Sequence, residues 1–199
     1  LRGDDFDGEG WGYVQWIALN RLGPSAEPLL LRTRPIVPDP ASPDDRTVME
    51  TQLTTPVAPG ETIELSVRFK SKLPTLFART GHANDFFFVA QWFPKLGVLE
   101  EHNGVHTSAP VDARGEPLWN TRPFHGFTEF FADYGKYRVC ITTPADYVVA
   151  ATGVRLKEEE LPDGKRRVVH EQDAIHDFAF VADRRMKRHI RTFDPQVHV

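Results

Sequence analysis

From Ile63 to Lys70 the side chains alternate: Ile63, Leu65, Val67 and Phe69 are apolar, while Glu64, Ser66, Arg68 and Lys70 between them are polar. A period of two puts all apolar residues on one side of an extended chain, and a helix would scatter them around its circumference. The same alternation returns from Lys136 to Thr143, with Tyr137, Val139 and Ile141 on one face and Arg138, Cys140 and Thr142 on the other. Two such stretches require antiparallel sheets with one wetted face.

The rest of the chain is cut at short intervals by 16 prolines and 14 glycines, the spacing of strands separated by turns. Trp11–Leu19, Arg46–Thr54, Tyr147–Thr152, His176–Ala182 and Lys187–Phe193 read as further strands, and the apolar run Phe86–Phe93 as a central one. Gly153–Glu159 and Arg166–Gln172 flank Leu161-Pro162-Asp163-Gly164-Lys165, a hairpin turn in composition. The proline-rich stretch Arg32–Asp45 reads as a loop, and Gly81–Asp85 as a turn. About ten strands without a helix predict an all-β fold, a β-sandwich or saddle-like sheet of short, mostly antiparallel strands, in a single domain over residues 1–199.

Candidate chemistry is sparse. His102 and His106 are four apart, but Asn103-Gly104 between them makes a turn rather than a helix face. His125 and Glu129 lack the His-Glu-x-x-His arrangement that places two zinc ligands and a base together. No metal site is therefore assigned. Cys140 in a strand reads as a small buried thiol, and no nucleophile elbow or phosphate-binding glycine loop is present, so no catalytic residue is assigned either. Glu158-Glu159-Glu160 and Lys165-Arg166-Arg167 face each other across the hairpin as ion pairs. The basic run Arg184, Arg185, Lys187, Arg188 and Arg191 lies in a chain of net charge −4, which argues against a nucleic-acid partner. No apolar run approaches the roughly 20 residues of a membrane span. The compartment is unassigned, since a lone cysteine excludes only an intrachain disulfide.

Several phrases together resemble the N-terminal domain of the membrane-alanyl-aminopeptidase family of zinc metallopeptidases, in its bacterial branch. They are Val57-Ala58-Pro59-Gly60-Glu61 leading into a strand, Gln91-Trp92-Phe93-Pro94-Lys95, Asp133–Val139 followed by Thr143–Gly153, and Ile175-His176-Asp177-Phe178-Ala179-Phe180. The resemblance runs from about Trp11 to Phe193. It implies a non-catalytic domain that shapes the substrate cleft of a parent enzyme engaged in proteolysis. The family's Gly-x-Met-Glu-Asn and His-Glu-x-x-His motifs are absent here, so the chain is expected to be inactive alone. Zinc would be held by the parent's catalytic domain, and this segment would carry no cofactor. The missing first strands and the opening at Leu1 read as a fragment.

The partners implied are the parent's own catalytic domain and peptide N-termini as substrate. In the family, the N-terminal domain lends a polar side chain to the substrate's free amino group. Ungapped placement puts that role at Asp85, with Gln91 as the alternative, while Asp85 also reads as closing its turn. A rival reading is a stand-alone β-sandwich binding module for carbohydrate or protein, with Trp11, Trp16, Trp92 and Trp119 as the aromatics it would present.

Overall fold

A computed structural model describes residues 10–38, 41–75, 79–99, 119–121 and 130–189. Among them the fold is all-β: twelve strands in small antiparallel sheets, with two three-residue 3-10 turns and no α-helix. No helix among the described residues is long and apolar enough to cross a membrane. The chain divides into two compact units, interleaved in sequence: residues 1–12, 73–91 and 134–199 form one, and residues 13–72 and 92–133 the other.

The second of these holds strands β1 (Tyr13–Arg21), β2 (Glu27–Pro28), β3 (Thr33–Ile36), β4 (Val48–Thr51) and β5 (Leu65–Lys72). β1 lies between β2 and β5, and β3 pairs with β4. Leu19 and Leu29 are buried, as is Arg21, whose Nη1 donates to the Thr55 carbonyl at 2.7 Å. That bond offsets the cost of taking a guanidinium out of water. The alternating segment forms β5 as expected, but Leu65 and Val67 on its apolar face stay exposed, as do Val14 and Ile17 of β1. Arg32–Asp45, expected as a loop, contains β3. Its partner decides this: Arg34 sits opposite Glu50, and the guanidinium donates twice to the Glu50 carboxylate, at 2.6 and 2.8 Å.

The other unit contains two sheets. One orders β10 (Val154–Leu161), β11 (Lys165–Ile175) and β8 (Gly135–Pro144) side by side. The other orders β6 (Gly81–Ala83), β7 (Phe86–Val89), β12 (Phe180–Asp183) and β9 (Val148–Ala151). Both contribute to the buried set: Ile141, Val168 and His170 from the first, Val89, Val149 and Ala182 from the second. Phe178, just before β12, is 0% exposed, and full burial of such a ring contributes roughly 1.5–3 kcal/mol.

Three local features fix this unit. Asn84 takes φ 52° in the two-residue loop joining β6 to β7, so the turn is Asn84-Asp85 rather than the whole of Gly81–Asp85. Leu161 to Lys165 forms the expected hairpin, with Asp163 and Gly164 both at positive φ. Gly153 has φ 82°, and a Cβ there would lie 2.4 Å from the Glu171 carbonyl oxygen, so only glycine lets β9 turn into β10.

Other expectations resolve differently. Phe86–Phe93 is a strand only to Val89, and His176–Ala182 only from Phe180. Residues 187–189 form no strand, and the remainder of Lys187–Phe193 lies outside the described residues, as do His102, His106, His125 and Glu129. Cys140 is exposed rather than buried, because the alternation along β8 turns it outward with Arg138 and Thr142.

Candidate functional site

Asp85 and Gln91 leave β7 at opposite ends. Six extended steps of about 3.3 Å separate their backbones by on the order of 15–20 Å, so they do not form one site.

Asp85 sits at the loop end of the four-stranded sheet. The Tyr147 hydroxyl donates to its Oδ1 at 3.2 Å, and Arg184 Nη1 lies 3.7 Å from its Oδ2. Arg184 also reaches Asp146, Nε to Oδ2 at 3.0 Å, and lies over the Tyr147 ring at 4.9 Å from its centroid. The cation over the ring and two flanking carboxylates satisfy one another. Burial pushes the Tyr147 phenol up; Arg184 counters this, while acceptance by the Asp85 carboxylate adds to it. The cluster is a closed ionic and aromatic clasp tying the β6–β7 loop to the turn before β9 and to the exit of β12.

Gln91 is placed differently. Its φ is 53°, a left-handed conformation. Asn84 and Asp163 adopt positive φ in tight turns, and Ala174 does so where the β11–β8 register shifts, but Gln91 lies in no hairpin loop. Such a conformation costs on the order of 1 kcal/mol or more for a residue with a Cβ. Its Nε2 donates to Asp177 Oδ2 at 2.9 Å across 86 residues of sequence.

Both partners are positioned by threonines. Thr80 Oγ1 donates to the Phe88 carbonyl and accepts from the Ala90 amide, each at 3.2 Å, which fixes the exit from β7. Thr152 and Ala179 share three bonds: the Thr152 amide and hydroxyl donate to the Ala179 carbonyl at 3.0 and 3.1 Å, and the Ala179 amide donates to Thr152 Oγ1 at 3.2 Å, which fixes the segment carrying Asp177. A carboxylate only accepts, so Asp177 must face the NH₂ end of the Gln91 amide, and the carbonyl Oε1 is turned the other way.

The chain matches no family model, no curated protein and no solved structure. Function therefore has to be argued from the geometry and the sequence phrases. No group of three or more His, Cys, Asp or Glu side chains among the described residues is arranged to hold a metal ion. Of the tryptophans, Trp11 is 50% and Trp119 51% exposed, and they belong to different units; Trp16 and Trp92 are only partly exposed. Trp92 packs edge-on against Phe93 at 5.1 Å and lies 6.0 Å from Phe69.

The Gln91–Asp177 pair was only half legible in the sequence. Gln91 stood out as a named candidate, whereas Asp177 lay within a resemblance phrase with no role attached to it.

Proposed function

We propose that this chain is the non-catalytic N-terminal β domain of a zinc-dependent aminopeptidase, forming one wall of the substrate cleft, with Gln91 receiving the substrate's free amino group. The observation that carries the reading is the strained, pinned conformation of Gln91 at the position where the sequence resemblance implies amino-group recognition. Backbone strain persists only where its surroundings enforce it, and it gathers at binding sites.

The chemistry suits an ammonium. The Gln91 carbonyl accepts one of its protons, and Asp177 behind the amide contributes a negative charge and holds the amide in the accepting orientation. Asp85 is the weaker candidate because Tyr147 and Arg184 already engage its carboxylate. Two closely packed positions of the fold, Gly153 and Phe178, also lie in the resemblance phrases. Zinc, its activated water and the general base belong to the parent's catalytic domain in this reading.

Steady-state kinetics of the parent enzyme on aminoacyl-anilides test the assignment. Gln91→Ala should raise KM by about tenfold or more, the value of a hydrogen bond to a charged group. Asp85→Ala should leave KM within about twofold, as expected for an exposed ion pair. A raised KM for Asp85→Ala together with an unchanged one for Gln91→Ala would return the role to Asp85.

A further inference from the structure

The charged residues of β10 and β11 pair across the hairpin as expected: Arg167 Nη1 lies 3.6 Å from Glu159 Oε1, and Arg166 lies 3.5 Å from Glu158 and 3.9 Å from Glu160. The basic run after β12 adds to this cluster. Two members of the run are engaged locally: Arg184 by Asp85 and Asp146, and Arg185 by Asp183, whose two oxygens accept from its side chain at 3.0 and 3.3 Å. Arg188 instead reaches back to β10. Its Nη1 lies 3.6 Å from Glu158 Oε2. Arg155 Nη1 lies 2.6 Å from the same oxygen, and Arg166 Nη1 lies 3.5 Å from Glu158 Oε1.

Three guanidiniums from three segments thus surround one carboxylate. Glu158 neutralises one of them. Glu160 stands 3.9 Å from Arg166 and is 82% exposed, so solvent screens most of its effect. Only the Arg155 contact is within hydrogen-bonding distance; Arg166 and Arg188 are held by charge at longer range. The extra residue at Leu156, where the β10–β11 register shifts, brings Arg155 onto the same side as Glu158. His170, the cross-strand partner of Arg155, is 5% exposed. An excess of positive charge beside a buried imidazole is not the arrangement of a closed ion-pair ladder.

We propose that Arg155, Arg166 and Arg188 form a binding site for a phosphate-type oxyanion, with Glu158 holding the three guanidiniums together when the anion is absent. Planar guanidinium forks match the oxygens of a phosphoryl group, and Arg166 and Arg188 hold the longer contacts that such an anion would shorten. Chain-wide charge does not explain the patch, since the net charge is −4. The site is independent of the aminopeptidase reading.

Titration of the whole 199-residue chain with inorganic phosphate, against chloride at matched ionic strength, tests the proposal. Calorimetry should show saturable phosphate binding, and the His170 ring signals should move to a higher titration midpoint as the anion offsets Arg155. Arg166→Gln and Arg188→Gln should each weaken binding about tenfold or more. Glu158→Gln should tighten it, because the competing carboxylate is gone; a purely structural ion-pair cluster would lose stability without gaining affinity. Phenyl phosphate binding as well as phosphate would mark the ligand as a phosphoryl group on a larger molecule, and phosphate binding alone would mark the free ion. Equal responses to phosphate and chloride, or a Glu158→Gln chain that binds phosphate no better, would overturn the proposal.

Discussion

His170 concentrates the chemistry of this fold in a single side chain. Burial, foremost, holds its pKa below the ordinary 6.5, with the neighbouring Arg155 adding to the effect; backbone contacts at Gly153 and Thr152 and the Glu158 carboxylate work against it. The folded chain therefore binds a proton at His170 less readily than the unfolded chain does. The resulting stability is fully present above about pH 6.5 and is lost as pH falls through that value toward the folded-state pKa. Denaturation midpoints between pH 7 and 5.5, above the range where carboxylates titrate, should fall for the native chain and stay flatter in His170→Gln. A native chain with no slope in that window would contradict the burial account. Gln91 shows how far a residue can be read in advance: its phrase drew attention to it, yet its positive φ occurs beside an Ala90 amide held by Thr80 and with its own side chain on Asp177, contacts made only in the folded chain. The occupants of the Asp85 carboxylate were equally hidden, since Tyr147 is 62 residues away.

At the scale of elements, strands with strict alternation were legible and strands made by their partners were not. β5 and β8 follow from period two, because one face must leave water. β3 does not, since it contains Pro35 and forms by pairing with β4, and β6 is three residues recruited by the apolar β7. The β9–β10 turn shows the reverse case. Tyr147–Thr152 and Gly153–Glu159 read in the sequence as two abutting strands, and the structure adds that Gly153 is an obligatory turn glycine because β11 passes behind it. Gly153→Ala should cost at least about 1–3 kcal/mol from the left-handed backbone alone, with the clash against Glu171 added. Chemical denaturation measures this, and a change below about 0.5 kcal/mol would mean that β11 can move away. Gly23→Ala, also at positive φ but with no atom within 4 Å of the added Cβ, separates the backbone cost from the clash.

For the molecule as a whole, the all-β architecture follows from strand periodicity and turn chemistry, and it stands whether or not the parentage is right. Two compact units interleaved along the chain were not foreseen from turn composition, which carries no record of which strands return to which sheet. In the proposed reading, this chain would be the part of a peptidase that does not cut. The purified chain with added zinc should hydrolyse aminoacyl-anilides no faster than buffer does, and turnover above that background would place catalysis within it. Parentage itself is tested most directly by reading the coding sequence past the Val199 codon. The account predicts an open frame carrying His-Glu-x-x-His within about one further domain length; a stop codon immediately after Val199 would contradict it.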